Sequence, residues 1–193
     1  RVCGRRTGAK RYLLLEAPMD STRMPMEEYQ VPVWAVASGK GGVGKTTAVV
    51  NLAIALAEEG KRVCVIDGDL GTANIDVVLN LAPRYTLTDV ISGRRHILEV
   101  LVEGPRGIIV LPGGSGLQEL TELGQDKFAN LVHEFKVLER YTDLMLIDTC
   151  SGLSRSVTNF IAAAGEAVLV TTPEPPAITD AYALVKVLAR AGY

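Results

Sequence analysis

From Val33 onward the chain alternates between two kinds of stretch. Short, almost wholly apolar runs recur at "VWAVA" (33–37), "RVCVID" (62–67), "GIIVL" (107–111), "LMLID" (144–148) and "AVLVT" (167–171). Continuous apolar runs rich in β-branched residues predict strands buried on both faces, as in a parallel sheet. Between them lie helical stretches. "KTTAVVNLAIALAEEG" combines good helix formers with Gly60 placed to end the helix. "DKFANLVHEFKVLER" carries apolar residues at 128, 131, 132, 135 and 138, a helical stripe with basic residues toward its end. "SRSVTNFIAAAG" and "ITDAYALVKVLARAG" complete the set.

Strand–helix alternation of this kind predicts an α/β fold: a doubly wound, mainly parallel sheet with helices on both faces. The segment 72–103 reads as short helical pieces rather than a strand, and no internal repeat is present. Composition changes this picture little. With 193 residues, 48% apolar, 22% charged and a net charge of −2, the chain suits one globular domain, with no charge excess to favour nucleic acid or anionic lipid. No apolar run approaches the roughly 20 residues that span a bilayer. Cys3, Cys64 and Cys150 are widely separated and form no CxxC pair, which argues against a disulfide framework or a metal ribbon. A cytoplasmic protein is expected.

The ends read differently from the rest. The first eleven residues hold five basic side chains and no acidic one, and there is no initiator methionine. Glu16 and Pro18 cut short the apolar run that follows, so a secretory signal is not expected. Residues 1–30 are expected to form a disordered or non-native leader, and 31–193 the folded domain.

The chemistry concentrates in "ASGKGGVGKTT" (37–47). Gly39, Gly44, Lys45 and Thr46 match G-x-x-x-x-G-K-[ST] with a strand before and a helix after, the context a Walker A phosphate loop requires. Its glycines let the backbone wrap a phosphate closely, so that N–H groups of Gly39, Lys40, Gly41, Gly42, Val43, Gly44 and Thr47 become candidates for binding. The positive end of the following helix adds to the attraction. Lys45 is the candidate for the β- and γ-phosphates, and the Thr46 hydroxyl for the shell of a magnesium ion. ATP and Mg2+ are the expected cofactors.

Carboxylates at strand ends fit this reading, because ligands of open parallel sheets bind outside the carboxyl ends of the strands. Asp67 and Asp69 follow the second run in "VIDGDLG", and Asp148 ends another in "LIDTCSG". Each suits metal and water duties. Each also suits the plainer work of capping a turn or a helix.

"GKGGVGKTT" resembles the deviant Walker A motif of the MinD/ParA ATPases. That resemblance gives Lys40 a role: in the family this lysine reaches across a dimer interface to the partner's nucleotide. "DGDLG" is similar to the family's switch I, which implies that Asp69 positions the attacking water and Asp67 shapes the magnesium surroundings. "DTCSG" is similar to switch II, which implies Asp148 as the magnesium-linked carboxylate and Gly152 near the γ-phosphate. "PRYTLTDVI", "LPGGSGLQEL" and "ITDAYALVK" most resemble the FlhG (FleN, YlxH) branch of flagellar-number regulators. The resemblance implies a slow, partner-stimulated ATPase that forms a homodimer in its ATP state. A flagellar basal-body or regulatory protein is the implied partner, and nucleic acid is not expected. A MinD/ParA-type positioning ATPase and a nucleotide-binding module without turnover stand as alternatives.

The resemblance has departures. No Asp-Gln-Ala activation motif precedes the core. Relative to the family, the chain is expected to lack a C-terminal strand, the asparagine after it that contacts the base, and a membrane-targeting helix through which peripheral membrane association would occur. Pro173 in "TTPEPP" is a candidate base contact, or that segment is a proline-stiffened connection. Lesser features read as structural: Trp34 as core, Cys150 as a small packing residue, His133 as a surface residue unrelated to His96, "SGRRH" (92–96) as a solvated turn, and "GGSG" (113–116) as a flexible loop.

Overall fold

The computed structural model describes residues 31–114 and 125–192. Expectations that fall on 1–30, on 115–116 of the "GGSG" cluster and on Cys3 lie outside the described residues. Within them the chain forms a six-stranded sheet in the order β3-β4-β2-β5-β1-β6. The strands are β1 (Val33–Ser38), β2 (Val63–Asp67), β3 (Val102–Glu103), β4 (Ile109–Leu111), β5 (Leu144–Ser151) and β6 (Gly165–Leu169). All pairings are parallel except β3 with β4. The helices are α1 (Lys45–Glu58), α2 (Ile75–Val78), α3 (Leu87–Ile91), α4 (Gln125–Phe135), α5 (Arg155–Ala164) and α6 (Pro175–Arg190).

The doubly wound architecture follows from alternation along the central strands. Val63 and Val65 of β2 pack with Val49, Val50 and Ala53 of α1 on one face. Cys64 and Ile66 face the other way, into a cluster with Leu131 and Phe135 of α4 and Phe160 of α5. Ala35 and Ala37 of β1 meet Val157 and Ile161 of α5 and Leu184 and Leu188 of α6. Small residues on β1 thus let two helices approach the sheet closely. Trp34 packs half-buried against the α1 cluster.

Four expectations are corrected. The segment 72–103 does end in a strand: β3 pairs antiparallel, with Val102 opposite Val110 and Glu103 opposite Ile109. The last strand starts two residues early, because Gly165 both ends α5 in a left-handed conformation (φ 77°) and opens β6. β6 is also not buried on both faces. It lies at one edge of the described sheet, and its first four residues are exposed. The stripe from 126 to 140 is α-helical only to Phe135 and tightens to a 3-10 turn over Lys136–Arg140.

Candidate functional site

The order β2-β5-β1 brings three strand ends together, and the register decides what they carry. Asp67 lies opposite Asp148, and Ser38 opposite Ser151. The phosphate loop leaves β1 after Ser38, whose hydroxyl donates to the Lys40 carbonyl at 3.0 Å. It enters α1 through Gly44, held at φ 88° in the left-handed region that glycine adopts without a Cβ penalty. Gly39 is pressed against α6: a Cβ there would collide with the backbone of Asp180 and Ala181. A cavity of about 430 Å³ opens above the loop, lined by Gly41, Gly42, Gly44, Lys45, Thr46 and Thr47 on one side. Asp69, Thr72, Asn74 and Ser151 line the other.

Lys45 is buried, and its ammonium donates to Asp148 Oδ1 at 2.5 Å. The exposed side-chain fractions are 9% for Lys45 and 2% for Asp148. Asp67 is buried beside them and serves the backbone. Its Oδ1 accepts from Asp69 N at 3.2 Å, and its Oδ2 accepts from Asn74 N at 3.0 Å and Ile75 N at 3.1 Å. One carboxylate thereby pins both ends of the loop 68–75 and caps the start of α2. Burial pushes the Asp67 carboxyl up to about 7, opposed by its backbone donors and reinforced by Asp148. Asp69 accepts from the Thr72 backbone N–H and from the Thr72 hydroxyl, both at 3.0 Å, while facing the cavity.

The remaining loop lysine points the other way. Lys40 Nζ lies 3.3 Å from Glu174 Oε2, at the start of α6. Pro173 is exposed and does not line the cavity; its neighbour Glu174 makes the contact to the loop. Gly152 adopts φ 95° and donates its N–H to the Ser38 carbonyl at 2.8 Å, which holds the switch-like segment against the loop. Cys150 is half-buried, with Sγ 3.4 Å from the Ser154 hydroxyl that caps α5.

These residues fit magnesium bound largely through phosphate and water. Thr46 offers a hydroxyl, and Asp148 keeps an oxygen beyond the one that Lys45 occupies. Both Asp67 oxygens already accept backbone N–H groups, which suits an outer position better than direct ligation. Among the described residues no group of three or more His, Cys, Asp or Glu could hold a metal unaided.

Sequence reasoning missed Glu174, Thr72, Asn74 and Ser151. Only Ser151, inside the quoted "DTCSG", carried a local signal. It also separated two histidines that the fold unites. His96 and His133 both line a larger cavity, about 530 Å³, between α3 and α4. There His96 Nε2 faces Glu134 Oε2 at 3.9 Å, and His133 is exposed as expected. The arginines of "SGRRH" are not simply solvated: Arg94 pairs with Asp89, and Arg95 with Glu99 and the Tyr85 ring. Gly113 is no free hinge, since a Cβ there would come within 2.9 Å of the Asp67 carbonyl oxygen.

Comparison with known proteins agrees with this geometry. The AAA domain family matches residues 31–191. The antiactivator FleN of Pseudomonas aeruginosa is 48% identical over 162 residues, which cover 84% of this chain and 58% of FleN. The flagellum site-determining protein YlxH of Helicobacter pylori is 37% identical over 154 residues, 79% of this chain and 52% of its own length. The septum site-determining protein MinD of Pyrococcus horikoshii, solved in complex with Mg-ADP, superposes with a TM-score of 0.73 at 33% identity, covering 83% of this chain and 66% of that one. The chain therefore spans a little over half the length of the curated relatives it matches. It belongs to the MinD/ParA family of deviant Walker A ATPases, on the branch that holds FleN and YlxH.

Proposed function

We propose that this chain is the nucleotide-switch core of a regulator of flagellar number or placement. It binds ATP with magnesium, dimerises in that state and hydrolyses ATP slowly when a partner stimulates it. The observation that carries the reading is the meeting of Lys45, Asp148, Asp67 and Asp69 at the ends of three adjacent strands, with Lys45 and Asp69 lining one cavity and Asp148 and Asp67 buried. Lys45 and the loop N–H groups hold the phosphates. Asp69, facing the cavity, orients the attacking water, and Asp67 keeps the Asp69 loop in place through its backbone bonds. Magnesium, held near Thr46 and Asp148, would supply charge neutralisation at the phosphates.

Lys40 is exposed enough to leave Glu174 and reach a second copy's nucleotide, which supports its role as a lysine acting in trans. The partner is a flagellar basal-body or regulatory protein. The protein is cytoplasmic in this reading, with peripheral association to the membrane. Among the described residues, no helix is long and apolar enough to cross a membrane.

The flagellar reading is preferred over a septum- or DNA-positioning ATPase because identity is greater to FleN, at 48%, than to the MinD proteins, at 33–39%. The test is substitution followed by phosphate-release and sedimentation measurements. Lys45→Ala should lose nucleotide binding. Asp69→Ala should keep binding, lose turnover and persist as an ATP-bound dimer. Normal hydrolysis by Asp69→Ala would remove the role given to that residue, and no phosphate release from the unaltered protein with any partner would leave a binding module.

A further inference from the structure

Lys45 and Asp148 form a buried pair, and Asp67 lies opposite Asp148 on the neighbouring strand. A phosphate oxygen that draws on the Lys45 ammonium competes with Asp148 for it. To the extent that it succeeds, Asp148 is left buried with less countercharge beside a second carboxylate, an expensive arrangement. Asp67 gives no relief, since its oxygens are committed to the N–H groups of Asp69, Asn74 and Ile75. A divalent cation arriving with the nucleotide restores the missing positive charge.

We propose that Asp148, by holding Lys45, makes the site selective for magnesium–nucleotide over metal-free nucleotide. Asp148 thus has a second task besides any contact with the metal shell: it penalises nucleotide that arrives alone. The inference rests on the nucleotide reading given above. It makes a prediction that a metal-contact role does not, because removing the carboxylate should improve metal-free binding.

The test is equilibrium binding of a fluorescent, non-hydrolysable ATP analogue at pH 8.5, in EDTA and in magnesium, to the unaltered chain, Asp148→Asn and Glu103→Gln. In EDTA, Asp148→Asn should bind about tenfold more tightly than the unaltered chain, within the range usual for coupled sites. Glu103→Gln removes a carboxylate on β3, at the far edge of the sheet, and its affinity in EDTA should stay within about threefold. Asp148→Glu, which keeps the charge, should retain weak binding in EDTA. Thermal transitions check that each variant is folded, and Asp148→Thr replaces the asparagine variant if that one is not. Unchanged or weaker binding by Asp148→Asn in EDTA overturns the inference, as does an equal gain in Glu103→Gln, which would mark a general charge effect. If the unaltered chain binds the analogue in neither buffer, the nucleotide reading itself falls, and this inference with it.

Discussion

Lys40 Nζ and Glu174 Oε2 are 3.3 Å apart, so the first lysine of the phosphate loop is tied within its own chain to the residue that precedes α6. The pair is well exposed, at 40% and 66% of its side chains, and such pairs contribute no more than about 1 kcal/mol. It can therefore restrain Lys40 without trapping it. Glu174→Gln should strengthen dimerisation with a non-hydrolysable ATP analogue, by no more than about fivefold. Sedimentation over a concentration series reads this directly, and weaker dimerisation would mean that Glu174 assists the interface rather than restraining it.

Lys45→Ala should do more than lose nucleotide. It leaves Asp148 buried without its partner, a change that costs about 3–5 kcal/mol. Lys45→Ala/Asp148→Asn should recover most of that stability and none of the binding. Denaturant unfolding of both variants, set against nucleotide titration, separates the two effects.

Asp67 should make stability depend on pH. Its folded value of about 7 lies above the ordinary carboxylate range, so the native state holds this proton more tightly than the unfolded chain does. The associated stability is complete below about pH 4 and is lost as pH rises through about 7. In metal-free buffer the unaltered chain should lose about 4 kcal/mol relative to Asp67→Asn between those limits. A flat difference between the two unfolding profiles would contradict the assignment.

Phe160 links the core to the site. It is fully buried, stacks edge-on to Phe128 at 5.1 Å between ring centroids, and would touch a Cβ placed on Gly68. Phe160→Ala should cost about 3–5 kcal/mol and loosen the loop between Asp67 and Asp69. Chemical denaturation gives the first effect. A fall in nucleotide affinity under conditions where the variant is still folded gives the second.

The parts of this fold that were legible in sequence are those where burial is two-sided. β1, β2 and β5 lie at the centre of the sheet, and their apolar runs mark them within a residue or so at their starts. β6 is exposed on the sheet's edge, so no apolar signal marks residues 165 and 166, and α5 passes into it through Gly165 with no loop between. β3, two residues long, is too short to carry a period. The phosphate loop was legible because its chemistry is local. The pairs that tune it were not: Lys45 and Asp148 are 103 positions apart, and Lys40 and Glu174 are 134. Asp67 was read from its place at a strand end, but its backbone partners depend on how residues 68–75 fold back over it.

The absence of a side chain at Gly39 has a mechanical consequence. The phosphate loop and the first turns of α6 touch backbone to backbone there, with no flexible side chain between them to absorb displacement. The 16 residues of α6 make a rod about 24 Å long. Pivoted by about 5° where it meets the loop at Asp180, its far end at Arg190, about 15 Å away, would sweep roughly 1.3 Å. An adjustment of the loop around a phosphate would thus be passed directly to α6 and reach the surface at its far end.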